Sequence, residues 1–217
     1  MPFTPEARRA GIVAALGMAG LSLVYAAVLA VGLLSLRSPA DPIADPWFTA
    51  LEVLILIMMP VFVTLMAVIH VRASAAARLF TLIGLVFAGL LAGLTSSVHF
   101  VVLIVSRQSE FSGLAGLRLL TAFEWPSIAY ILDILAWDVF FALSVLFTQQ
   151  AFAGNPSDRW IRALMIASGV IALAGLSGVV TGDMQLRNIG IAGYAGVFPV
   201  AAVLMARRFW LSRPDRP

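Results

Sequence analysis

Long apolar runs separated by short clusters of charged, proline-rich or glycine-rich residues make up almost the whole chain. The first runs from Ala10 to Leu36 behind the polar lead MPFTPEARR, the second covers 47–71 and the third 79–105. The fourth covers 126–152, the fifth 160–181 and the sixth 189–206. A helix rising about 1.5 Å per residue needs about 20 apolar residues to cross a hydrocarbon layer ~30 Å thick, and these runs match that length. The pattern specifies an all-α fold, a polytopic membrane bundle of six transmembrane helices forming one domain over 1–217. The first run is too long for the apolar core of a signal peptide and is expected to stay as a helix.

The interruptions carry the boundaries. The stretch 37–46 (RSPADPIADP) holds prolines and aspartates that end one helix and start the next. Residues 72–78 form a basic turn, and 182–188 form a short loop that leaves Arg187 at the outer rim with Thr181 and Asp183. The longest connection, 106–123, is too polar to span; Leu114, Leu117, Leu119 and Leu120 suggest a short interfacial helix roofing the bundle. Pro126 fits a first helical turn, and Gly154 to Asp158 reads as a turn with helix-start chemistry. Pro60 predicts a kink in the second span. Gly84, Ala88 and Ala92 recur every four residues in the third, a spacing that lets membrane helices approach closely.

Composition then removes whole classes of chemistry. At 61% hydrophobic and 12% charged, the chain is far too apolar for a soluble domain. The absence of cysteine excludes disulfides, thiolate metal sites and thiol nucleophiles, and all 14 basic residues are arginine, which excludes a Schiff-base lysine. The arginines flank apolar runs instead of forming a patch, so no nucleic-acid partner is expected. Ten of them fall on the side of both termini (Arg8, Arg9, Arg72, Arg78, Arg159, Arg162, Arg207, Arg208, Arg213, Arg216) and four on the other (Arg37, Arg107, Arg118, Arg187). That bias predicts an N-in, C-in topology. A bacterial inner (plasma) membrane is the expected location, with the lipid bilayer as the constant partner and a second copy or another membrane protein as a possible one. No internal repeat supports an inverted-repeat transporter core.

Candidate chemistry sits where ionisable groups enter the apolar runs, since a charge at membrane depth requires a partner, water or a ligand. Asp133 and Asp138 lie in the fourth span, His99 in the third and Glu52 near the outer end of the second; Glu124 precedes the fourth, where a helix N-terminus favours it. His99 and Asp133 fall at one depth, so His99 or a tyrosine hydroxyl is a candidate partner for Asp133. On an α-helical wheel Asp133 and Asp138 are about 140° apart. Asp138 shares a face with Glu124 and Gln149, a candidate cavity lining, while Asp133 shares a packing face with Tyr130 and Trp137. Each carboxylate can equally be structural, gluing helices together.

No catalytic motif of the GxSxG or HExxH kind is present, and no cofactor or metal is predicted. His70 and His99 belong to opposite ends, too far apart for a bis-histidine haem, and three-histidine zinc chemistry lacks ligands. Met59, Met66 and His70 align in a manner that suits Cu(I), although such stripes are usually packing. The leading expectation is a small transporter, channel or receptor binding a cation, proton or small polar ligand among Glu52, His99, Asp133 and Asp138 in an outward-facing polar cavity. The alternatives are an interaction or assembly subunit without transport, and an intramembrane enzyme using His99 and a carboxylate on an apolar substrate.

Overall fold

The computed structural model describes residues 3–38, 41–108, 113, 114 and 116–212. Among them all regular structure is helical, and six helices are long and apolar enough to cross a membrane: α1 (Pro5–Leu34), α2 (Trp47–Arg72), α3 (Arg78–Val105), α4 (Ile128–Phe152), α5 (Arg159–Thr181) and α6 (Met184–Leu211). Each packs against the next in sequence, and α1 packs against α6, so the six close into a ring. Arg8 Nε donates to the Phe209 carbonyl at 3.0 Å, which ties the start of α1 to the end of α6. Both ends of the described chain therefore lie at one end of the bundle, the arginine-rich one; Arg213 and Arg216 lie outside the described residues.

Three helix starts, those of α1, α4 and α6, differ from the hydropathy pattern by two residues or more because a side-chain cap, not hydropathy, starts the helix. α1 begins at Pro5, ahead of the arginines, since the Thr4 hydroxyl accepts the Ala7 N–H at 3.2 Å and proline suits the first helical position. α4 begins at Ile128, because Ser127, not Pro126, provides the cap and accepts the Tyr130 N–H at 3.1 Å. Asp158 precedes α5 without a side-chain capping bond. Its carboxylate is instead 2% exposed and bridges Arg208 (2.6 Å) and Arg72 (3.5 Å). The stretch 182–188 is loop only at its start: Gly182 takes the left-handed conformation (φ 75°), Asp183 accepts the Gln185 N–H at 2.9 Å, and α6 starts at Met184. That early start places Arg187 inside the helix.

α2 runs unbroken through Pro60. α4 and α6 are less regular, each containing a π-helical stretch, Leu135–Phe141 in α4 and Ala192–Val197 in α6. These stretches face one another: the Trp137 and Tyr194 rings are 4.9 Å apart and Phe141 meets Tyr194 edge-on at 5.9 Å. Phe62 of α2 joins them across the ring, 5.7 Å from Phe141 and 5.5 Å from Phe198. This aromatic knot, with Met59, Met66, Met165 and Met205 fully buried beside it, forms the middle of the core. The methionine stripe of α2 thus packs, and His70 bonds Thr81 Oγ1 at 2.9 Å across the α2–α3 turn.

Candidate functional site

Four helices contribute one ionisable residue or more to a cluster in the half of the bundle away from the arginine-rich end. Glu52 of α2, His99 of α3, Asp138 of α4 and Arg187 of α6 are 4, 4, 0 and 5% exposed, and Asp133 of α4 joins them. His99 Nδ1 is 2.8 Å from Glu52 Oε2, a hydrogen bond, and Nε2 is 3.5 Å from Asp133 Oδ1, an ion-pair distance. Arg187 completes the chain, with Nη2 donating to Asp133 Oδ2 at 3.1 Å and Nε to Asp138 Oδ2 at 3.3 Å. The Tyr130 ring lies 5.1 Å from the guanidinium carbon, and the Phe123 ring stacks on His99 at 4.9 Å. The order is Glu52, His99, Asp133, Arg187, Asp138.

Asp133 and Asp138 meet one guanidinium although α-helical geometry would set them about 140° apart. The π stretch that begins at Leu135 explains this. In π-helix the backbone bonds residues five apart, so positions i and i+5 approach the same face. The free oxygen of Asp138 is pressed on a small-residue seam: a Cβ on Gly175 would sit 3.0 Å from Oδ1, and one on Gly190 would collide with it. Only glycine at both positions lets α5 and α6 close around the carboxylate, and Oδ1 is buried with no hydrogen-bond partner among the described residues.

Of the expected residues, Glu52, His99, Asp133 and Asp138 are together. Glu124 is not: it pairs with Arg118 at 2.9 Å, exposed at the surface. Gln149 is at the far end of α4, accepting from Arg162 Nε at 2.7 Å, so Glu124, Asp138 and Gln149 do not line one cavity. The cluster's groups face one another: Glu52, His99, Asp138 and Arg187 are buried, and the Asp133 side chain is 13% exposed. From the 106–123 connection, a short helix (Leu117–Thr121) and Phe123 adjoin this end; residues 109–112 and 115 of the expected roof lie outside the described residues. Arg187 is the member of the cluster that the sequence reading leaves out. The available signal was electrostatic: buried carboxylates demand a cation, and Arg187, two residues before the sixth run, is one of three arginines on that side so close to an apolar run, with Arg37 and Arg107.

Fold and cluster together define a class, a six-helix apolar bundle with a buried carboxylate–imidazole–guanidinium network. Beyond that class the comparisons give nothing: no family model, no curated protein and no solved structure matches the chain.

Proposed function

We propose that the chain is a small integral membrane protein, N-in and C-in, that binds and passes protons through the Glu52–His99–Asp133 relay as the coupling step of transport. The observation that carries this reading is His99 held between two carboxylates, at 2.8 Å and 3.5 Å. A neutral imidazole donates at one nitrogen and accepts at the other, so a group with a carboxylate at each side can take a proton from one and hand it to the next. Charge counting supports a proton as the ligand. Glu52, Asp133 and Asp138 oppose one guanidinium, which leaves negative charge that a proton on the network would reduce. Glu52 Oε2, both oxygens of Asp133 and Asp138 Oδ2 already face His99 or Arg187, and Asp138 Oδ1 is closed in by Gly175 and Gly190, which leaves less room for a metal cation. Arg187 positions the two aspartates and is not itself a proton carrier at any ordinary pH. With Arg187 withdrawn into the bundle, the sparse end keeps only Arg37, Arg107 and Arg118, which strengthens the orientation argument.

The test is reconstitution in liposomes with a pH-sensitive dye inside. Wild type is expected to dissipate or exploit an imposed proton gradient, and His99→Gln, which keeps hydrogen bonding but cannot be protonated, is expected to abolish this. If wild-type liposomes are as proton-tight as empty ones and no tested cation moves under the gradient, transport is eliminated as the function.

A further inference from the structure

At the arginine-rich end, the last turn of α4 and the first turns of α5 enclose a groove of about 410 Å³ lined by Phe152, Pro156, Arg159, Arg162, Ala163 and Ile166 among others. We propose that this groove is a binding site for an anionic phospholipid, the phosphate resting on Arg159 and Arg162 and the start of an acyl chain on the wall below.

Three observations converge on that occupant. The groove is positively charged without internal compensation. Both arginines line it, α5 begins there without a side-chain cap, and no carboxylate is among its lining residues. Asp158, adjacent to Arg159 in the chain, is turned into the bundle and committed to Arg208 and Arg72. Arg162 is also held in place: its Nε is bound to the buried Gln149 carboxamide at 2.7 Å, so the side chain is fixed before a ligand arrives and its terminal nitrogens remain to meet a phosphate. Finally, apart from Asn155 the rest of the lining carries no polar side chain, and an apolar stripe continues along α5 through Ala163, Ile166 and Val170, exposed residues on one helical face. A free anion has no use for that stripe, whereas a lipid has. Basic pockets between spanning helices at this level are the ordinary form of a headgroup site.

The experiment uses the purified full chain in an uncharged detergent, with thermal unfolding read against added phosphatidylglycerol, phosphatidylcholine or inorganic phosphate. The expected result is a rise in melting temperature with phosphatidylglycerol only. Arg159→Gln and Arg162→Gln should each weaken the apparent affinity about fivefold. Arg207→Gln, an exposed arginine at the same end outside the groove, should leave it unchanged. Arg159 is exposed, its guanidinium over the ring of its neighbour Trp160, so Arg159→Gln decides the matter even if Arg162→Gln does not fold. Equal stabilisation by phosphatidylcholine, reproduction of the effect by inorganic phosphate, or an equal loss in Arg207→Gln would each overturn the proposal.

Discussion

Arg187 shows how differently two ion pairs of similar length can weigh. Its partner Asp138 is buried and Asp133 is 13% exposed, so replacing the arginine with methionine strands two carboxylates of like charge in a poorly hydrated site, and the expected loss is about 3–5 kcal/mol. The Arg118–Glu124 pair is shorter, 2.9 Å, yet its side chains are 79% and 54% exposed. Water screens it, so Arg118→Met should change stability by less than about 1 kcal/mol. Chemical denaturation of both variants in detergent micelles checks the contrast, and equal losses would mean that the buried network is not what holds α4 to α6. Asp45, before α2, offers a test in pH. The Thr49 hydroxyl first, then the Thr49 amide and Arg107, hold its carboxyl below the ordinary carboxylate range against the opposing effect of burial. A depressed folded value means that the stabilisation is complete above the unfolded value of about 3.9 and disappears as pH falls through the lower folded one. The melting-temperature gap between wild type and Asp45→Ala should accordingly be constant near neutrality and close below about pH 4. A gap that widens on acidification would reverse the sign and refute the assignment.

Among the elements, α4 is the one whose geometry the site depends on. Its π stretch, Leu135–Phe141, behaves as an α-helix carrying one extra residue. Deleting Leu135 should let α4 run as regular α-helix with the two aspartates four apart, about 40° from each other, and Arg187 should still bridge them. Deleting Val86 from α3, which is α-helical throughout, rotates everything beyond it by about 100° and takes His99 off its face. The Leu135 deletion should remain monodisperse on size exclusion with a melting temperature near wild type, and the Val86 deletion should not; equal damage from both would argue against a one-residue insertion. The same element marks the limit of what was legible in the sequence. The six spans follow from apolar run length alone, and His99 and Asp133 share a level by simple rise per residue. The wheel separated Asp133 from Asp138 because it assumes 100° per residue, and a π turn leaves no mark in hydropathy. Arg187 falls in an apparent loop for a related reason: Gly182 and Asp183 mark a break, and the cap that restarts the helix at once is made by a side chain whose role depends on geometry. Glu124 shares a face with Asp138 on that same wheel, but it lies ahead of the cap at Ser127 and its environment is solvent.

For the whole molecule, the asymmetry between the two ends connects the buried network, the lipid groove and the topology. One end gathers Arg8, Arg72, Arg78, Arg159, Arg162, Arg207 and Arg208, with one buried carboxylate, Asp158, bridging Arg72 and Arg208. The other half holds the acid-rich cluster. If arginine density sets orientation, the relay lies on the outer side of the membrane, the groove faces the inner leaflet, and a proton from outside would meet Glu52, His99 and Asp133 before the aromatic knot around Phe62 and Phe141. The chain lends itself to a direct check because it has no cysteine, so any single introduced thiol is the sole reactive one. Ser74→Cys, exposed in the turn between α2 and α3, should be labelled by a membrane-impermeant maleimide only after the cells are opened. Asp41→Cys, exposed between α1 and α2, should be labelled on intact cells. The reverse pattern would put the relay inside and the arginines outside, removing at once the inner-leaflet setting of the groove and the direction of proton entry.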